Sequence, residues 1–131
     1  MSSLLLITHG GIGEAMLAMV VETLGECSLP VRCLGVATSD DPADVLTRAR
    51  GLVAELGGDV IVLTDLFGST PSNIAARLVQ DRKGLIMIAG LNLPMLIRLF
   101  NYAGQDLLVL AEKAVKGGRD GIFIHELECY L

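Results

Sequence analysis

Residues 3–13 read SLLLITHGGIG, in which a short aliphatic run leads to a histidine and then to three glycines within four positions. An aliphatic run that does not alternate with polar residues is typical of a strand buried on both faces, as in a parallel sheet. The run is also far shorter than the ~20 residues that a membrane-spanning helix needs. We therefore predict a buried first strand over residues 3–8 and a turn that begins at His9.

Segments with helical and strand patterns alternate after this first strand. Asp41, followed by a proline, is expected to cap the second helix, and Thr70, also followed by a proline, the third. Gly117 and Gly118 are expected to end the last helix. The predicted strands are 3–8, 31–37, 59–64, 84–89 and 121–131, and the predicted helices are 14–24, 42–56, 71–81, 94–102 and 106–116.

This order of elements predicts an α/β fold in a single domain over residues 1–131. Strands that alternate with helices form a parallel sheet covered by helices on both faces. For a chain of this length we predict the flavodoxin-like strand order 2-1-3-4, with residues 121–131 as an additional antiparallel strand. The switch point of that order lies between strands one and three, where ligands bind beyond the carboxyl ends. Two loops are therefore candidates for the functional site, one starting at His9 and the other at Asp65.

The composition of the chain excludes several classes of protein. Ten Lys+Arg against 15 Asp+Glu, with a formal net charge of −5, do not supply the basic surface that binds nucleic acid. No basic residue precedes Arg32, so there is no signal-peptide pattern and we expect a cytoplasmic protein. The three cysteines form no C-x-x-C motif, which predicts reduced and mostly buried thiols. A hydrophobic content of 52% indicates that a second subunit covers some apolar surface.

His9 is the first candidate for chemistry, because it follows directly on the first strand. An imidazole is nucleophilic when neutral, so a histidine can accept and release a phosphoryl group near neutral pH. Gly10 and the glycines after it carry no side chains that would keep a partner's phosphohistidine at a distance. The alternative is a loop histidine with an ordinary structural hydrogen bond.

Asp65 follows the third strand, which should lie beside the first. Its carboxylate could accept a hydrogen bond from one ring nitrogen of His9, fix the tautomer and leave the other nitrogen as the nucleophile. The helix that starts after Gly68 would offer amides to a phosphate, and Ser69, Thr70 and Ser72 could add hydroxyl donors. The alternative for Asp65 is a turn residue or a helix cap.

Two other groups of residues are weaker candidates. His125 lies in the last predicted strand, where an exposed or packed role is expected. Asp40 and Asp41 are expected to form a solvated turn and a helix cap. An aspartyl-phosphate receiver would need a carboxylate at the end of strand one, where this chain has Thr8 and His9. No metal site is predicted.

Three motifs give the chain a family resemblance. ITHG at residues 7–10, DLFGSTPSN at 65–73 and AGLNLPML at 89–96 occur in this order at strand ends, and together they resemble the EIIA domain of mannose-type sugar phosphotransferase systems. The resemblance covers essentially the whole chain. It implies phosphorylation of His9 by the phosphocarrier HPr, Asp65 as the hydrogen-bonding partner of His9, and a phosphate- or partner-binding role for Asn92 in the third motif. It also implies a homodimer in which the C-terminal strand is exchanged.

The resulting hypothesis is a phosphotransferase component that takes phosphate from HPr on His9 and passes it to an EIIB-type protein in sugar uptake, without a cofactor. Its contact with the membrane would be indirect, through a permease. The chain departs from the family pattern at Gly11 and Ser69. These two differences bear on how the downstream partner is recognised. The alternatives are a regulatory protein controlled by phosphorylation of His9, and a phosphotransfer subunit for dihydroxyacetone kinase. The sugar and the acceptor stay open.

Overall fold

The computed structural model describes residues 1–126. Strands and helices alternate through the first four strands, and two further helices follow. The elements are β1 (Ser3–His9), α1 (Ile12–Leu24), β2 (Val31–Val36), α2 (Pro42–Leu56), β3 (Val60–Thr64), α3 (Thr70–Leu78), β4 (Leu85–Ala89), α4 (Leu93–Asn101) and α5 (Leu107–Asp120).

The four strands form one parallel sheet in the order β2-β1-β3-β4. The predicted order 2-1-3-4 is confirmed, and β1 and β3 are the two central strands. In the register of the sheet, Leu4 lies opposite Val31 of β2 and opposite Ile61 of β3. Every residue of β3 is buried, which explains its almost wholly aliphatic sequence. The carboxyl ends of β1 and β3 therefore lie side by side, at the switch point of this strand order.

Helices cover both faces of the sheet, and each face has its own hydrophobic core. Alternate residues of β1 point to opposite faces. Leu4 and Leu6 pack in a core with α1, α4 and α5, whereas Leu5 and Ile7 pack in a core with α2 and α3. Both cores include side chains of the central strands β1 and β3, which lead into the two candidate loops.

The helix boundaries differ from the sequence prediction at several places, and α1 begins at Ile12, two residues earlier than predicted. Ser69, not Thr70, caps α3, because the Ser69 hydroxyl accepts the N–H of Ser72. The same helix ends at Leu78, three residues earlier than predicted. At the other end of the chain, α5 continues through Gly117 and Gly118 to Asp120, because these glycines pack tightly against α4.

The predicted last strand is not formed in the described part of the chain. Residues 122–126 have no regular secondary structure, and Ile122, Phe123 and Ile124 are 74%, 76% and 85% exposed. A strand needs a neighbour for its backbone hydrogen bonds, and within the described chain this segment has none. Residues 127–131 lie outside the described residues, and the exchange of this strand between subunits stays a prediction.

The thiols differ in their surroundings. Cys27 is exposed, contrary to the expectation of mostly buried cysteines, because it lies in the loop after α1. Burial, together with the negative charge of Glu14, raises the pKa of Cys33 to about 11. Cys129 lies outside the described residues. Within residues 1–126, no helix is long and apolar enough to cross a membrane.

Candidate functional site

The structure brings His9 and Asp65 into direct contact at the carboxyl edge of the sheet. His9 is the last residue of β1, and Asp65 is the first residue after β3. Nδ1 of His9 lies 2.8 Å from Oδ2 of Asp65. The backbone N–H of His9 donates to the same oxygen over 3.2 Å. The two strand ends are thus joined at both the backbone and the side chain of the histidine.

The charge of Asp65 is stabilised by these contacts. Burial alone would raise the pKa of this carboxyl, but hydrogen bonds from the His9 ring and from backbone N–H groups, together with the charge of His9, hold its pKa below the usual value. One of those amides belongs to Leu66, which donates to Oδ1 over 3.1 Å. Asp65 is therefore a carboxylate at neutral pH, and Nδ1 of His9 must carry the proton in their hydrogen bond.

The remaining ring nitrogen of His9, Nε2, is left as a nucleophile. The His9 side chain is 42% exposed and that of Asp65 only 12%. A fixed Nδ1–H tautomer leaves the lone pair on Nε2. The arrangement therefore orients the imidazole so that, when the ring is neutral, Nε2 carries the lone pair and is available to another molecule.

A glycine in the neighbouring strand makes room for the turn after His9. The backbone of Gly10 has a positive φ of 46°, and its N–H donates to the carbonyl of Val36 over 3.0 Å. This turn brings the Gly10 carbonyl so close to Gly35 in β2 that a Cβ on Gly35 would overlap it. Gly35 was not among the site residues predicted from the sequence. The available signal was a glycine inside a predicted strand, which often marks a close approach of two backbones.

Thr8 anchors the other side of the turn. Its side chain is 1% exposed, and Oγ1 accepts the N–H of Gly13 in the first turn of α1 over 3.0 Å. A Cβ on Gly13 would lie 3.2 Å from both Oγ1 of Thr8 and Cβ of Leu6. Gly13 therefore allows α1 to start close to β1, immediately after the His9 turn.

A small cleft opens beside His9, between the loops after β1 and β2 and the start of α3. Its volume is about 240 Å³. It is lined by four polar residues, His9, Thr38, Asp40 and Thr70, and by four apolar residues, one of which is Pro42. Among the described residues, neither the N–H nor the hydroxyl of Thr70 has a hydrogen-bond partner on the protein. Oδ2 of Asp40 accepts the N–H of Ala37 over 2.8 Å, which fixes the loop after β2. Thr70 is thus the predicted hydroxyl residue that faces this cleft.

The other predicted phosphate ligands are used within the protein. The hydroxyl of Ser72 is buried and accepts the N–H of Gly68, and the hydroxyl of Ser69 donates to the carbonyl of Leu66. Asn92 caps α4 through its oxygen, and its side-chain N–H donates to the carbonyl of Gly118 in α5. The first two residues shape the loop after β3, and Asn92 connects α4 to α5.

Neither the second histidine nor a metal cluster adds to this site. His125 is exposed in the segment after α5 and is not part of the cleft. In the described range 1–126, no three His, Cys, Asp or Glu side chains gather as metal ligands would.

Apolar side chains are exposed on the loops and helix starts around His9. Phe67 and Leu66, in the loop after β3, are 78% and 61% exposed. Ile12 at the start of α1 and Leu93 at the start of α4 are 41% and 36% exposed. These elements follow β1, β3 and β4 at their carboxyl ends, so the four side chains lie at the same edge of the sheet as His9.

Comparisons with known proteins agree on one family. The family model EIIA-man, described as "PTS system fructose IIA component", matches residues 3–114. The mannose-specific EIIAB component of the phosphotransferase system (PTS) of Escherichia coli K12 is 29% identical over 119 residues, which are 88% of this chain and 36% of that protein. The chain thus spans about a third of the length of this relative. The fructose-specific EIIA component of Bacillus subtilis is 40% identical over 54 residues, covering 38% of this chain and 37% of that protein.

Solved structures have the same fold. The mannose/sorbose specific IIA subunit of Enterococcus faecalis superposes with a TM-score of 0.88 at 26% identity, covering 96% of each chain. A phosphotransferase system component EIIA from Streptococcus agalactiae gives a TM-score of 0.86 at 23% identity, covering 95% of this chain and 97% of that one.

Proposed function

We propose, since this chain belongs to the EIIA-man family of phosphotransferase-system components, that it carries a phosphoryl group on His9 between two proteins of a sugar-uptake system. The donor would be the phosphohistidine of HPr, and the acceptor would be an EIIB-type protein. One observation carries the proposal. The 2.8 Å contact between Nδ1 of His9 and a charged Asp65 leaves Nε2 as a nucleophile at an exposed position.

The proposed chemistry is a direct displacement at phosphorus. The lone pair of His9 Nε2 attacks the phosphorus atom, a new N–P bond forms, and the N–P bond of the donor breaks with its electron pair returning to the donor's ring nitrogen. The His9 ring then becomes cationic, and the carboxylate of Asp65 stabilises that charge through the Nδ1–H bond. The free N–H and hydroxyl of Thr70 are suited to bind the phosphoryl oxygens beside the helix start.

The surface around His9 suits transfer between proteins. The exposed side chains of Ile12, Leu66, Phe67 and Leu93 offer a partner an apolar surface around a small polar centre. A small-molecule substrate would instead need a site that encloses most of its surface, and the cleft of about 240 Å³ is below the usual size of such pockets.

The acceptor is inferred from the relatives. The matched Escherichia coli protein is named as a mannose-specific EIIAB component, and this chain corresponds to about a third of its length. An EIIB-type protein is therefore the acceptor that we propose. A pull-down from the native cytoplasm with phosphorylated and unphosphorylated protein tests this step. Recovery of an EIIB-type protein supports sugar uptake, whereas recovery of a state-dependent regulator would replace it with a signalling role.

The phosphorylation site can be tested by labelling with phosphorylated HPr. We expect His9→Ala to abolish labelling, because it removes the nucleophile from an exposed turn and leaves the core intact. The matched control is His125→Ala, which removes the other histidine of the chain. It should be labelled at the wild-type rate. Persistent labelling of folded His9→Ala would refute the proposed mechanism.

A further inference from the structure

The loop that carries Asp65 is held almost entirely by hydrogen bonds. Leu66 and Phe67 point into solvent, with exposures of 61% and 78%, so the packing of their side chains cannot fix the backbone between Asp65 and α3. Gly68 adds freedom, with a positive φ of 86°. A loop of this kind keeps one conformation only where polar contacts hold it.

Two serines supply those contacts. The hydroxyl of Ser69 donates to the carbonyl of Leu66 over 2.6 Å and accepts the N–H of Ser72 over 3.4 Å. The hydroxyl of Ser72 accepts the N–H of Gly68 over 3.2 Å. Ser72 is only 2% exposed, so water cannot readily replace its oxygen. Both ends of the Leu66–Gly68 segment are therefore tied to the first turn of α3.

The same hydrogen-bonded loop also contacts Asp65 and, through it, His9. The N–H of Leu66 donates to Oδ1 of Asp65, and Oδ2 of the same carboxylate meets the ring of His9. Movement of Leu66 would remove one of the three hydrogen bonds that hold the carboxylate in place against the ring of His9. We propose that Ser72, with Ser69, is a positioning residue that holds the loop so that Asp65 fixes the tautomer of His9. For phosphoryl transfer, this role rests on the proposed function above.

The variant Ser72→Ala tests the role, because it removes the buried hydroxyl that accepts the N–H of Gly68. The first measurement is the tautomer of the neutral His9 ring, by ¹H–¹⁵N NMR of the two ring nitrogens. We expect the wild type to hold the Nδ1–H tautomer and Ser72→Ala to show a mixture of both. This measurement requires no phosphate donor, so it tests Ser72 even if the chain were not a phosphoryl carrier.

The second measurement is the rate of labelling by phosphorylated HPr, which we expect to fall about five-fold in Ser72→Ala, as one lost hydrogen bond would cause. Ser69→Ala should act in the same direction, and it serves as the second variant if Ser72→Ala does not fold. The matched control is Ser28→Ala, since the hydroxyl of Ser28 also bonds a backbone carbonyl, that of Phe100 over 2.8 Å, away from this loop. It should leave both measurements unchanged. A wild-type tautomer and rate in the folded serine variants would overturn the proposal.

Discussion

At the residue scale, the charged carboxylate of Asp65 fixes the tautomer of His9 and so determines which ring nitrogen can react. Its carboxylate accepts two hydrogen bonds from His9 and one from Leu66, so it can neither turn away nor exchange its partner easily. A neutral amide of the same size could still accept the Nδ1–H bond. It could not stabilise the positive charge that develops on the ring during transfer.

We therefore expect Asp65→Asn to slow the phosphorylation of His9 by about ten-fold or more, with His9 remaining the labelled residue. Rapid-quench labelling with phosphorylated HPr measures the rate. The matched control is Asp81→Asn, which neutralises another bonded carboxylate, the one that receives two hydrogen bonds from Arg50. An unchanged rate in Asp65→Asn would remove Asp65 from the mechanism.

The same carboxylate makes stability depend on pH. Since the pKa of Asp65 is lower in the folded chain than its unfolded value of about 3.9, its ionised form favours folding. That contribution is fully present above the unfolded pKa and is lost as the pH falls through the folded pKa. In Asp65→Asn, this part of the acid-induced loss of stability should disappear from denaturant titrations between neutral and acid pH.

His9 and Asp65 could be predicted from the sequence because both follow aliphatic runs that form adjacent parallel strands. The roles of the nearby hydroxyl groups could not. Ser69, Thr70 and Ser72 have the same chemistry within four positions, and only the fold decides that Ser72 is buried while Thr70 faces the cleft. The direction of a side chain at a helix start depends on which residue caps the helix. The sequence predicted Thr70 as the cap of α3, one position after the actual cap, Ser69.

At the scale of elements, close packing explains where sequence patterns failed. The sequence predicted that Gly117 and Gly118 would end the last helix, since glycine is a poor helix former. In the structure, a Cβ on Gly117 would lie 2.9 Å from Cβ of Arg98, and one on Gly118 would lie 3.0 Å from Cε of Met95. These glycines let α5 pack close to α4, so tertiary contacts override the local preference.

The approach of the β1 turn to β2 gives a test at this scale. We expect Gly35→Ala to displace the Gly10 carbonyl, shift His9 and slow its phosphorylation, while costing about 1–3 kcal/mol of unfolding free energy. The two measurements are rapid-quench labelling and denaturant titration. Gly51→Ala is the matched control, because Gly51 lies in α2 with open space around it. It should retain the rate and be at least as stable as the wild type.

A wild-type labelling rate in Gly35→Ala would contradict the importance of this close approach. The result would mean that the turn after His9 can relax without moving the ring. Loss of stability without loss of rate would lead to the same conclusion.

At the scale of the whole molecule, apolar surface remains exposed after α5. Ile122, Phe123 and Ile124 are exposed, and β4 forms one edge of the described sheet. A groove of about 610 Å³ runs between that edge and α5, lined on the strand side by Ile86, Met87 and Ile88. An apolar segment and an unpaired strand edge in the same chain are aggregation hazards unless a partner covers them.

We therefore expect a homodimer in which residues 122–126 of one subunit pair with the β4 edge of the other. Such an exchange would bury both surfaces at once and give the segment a neighbouring strand, which it does not have among residues 1–126. Light scattering after size exclusion should give about twice the chain mass of 13.9 kDa at micromolar concentration.

Phe123→Asp should shift the protein toward the monomer, because it places a charge in the new interface. Met19→Asp, on the exposed side of α1, is the matched control and should remain dimeric. A monomeric wild type, or a Phe123→Asp dimer as stable as the control, would contradict this arrangement.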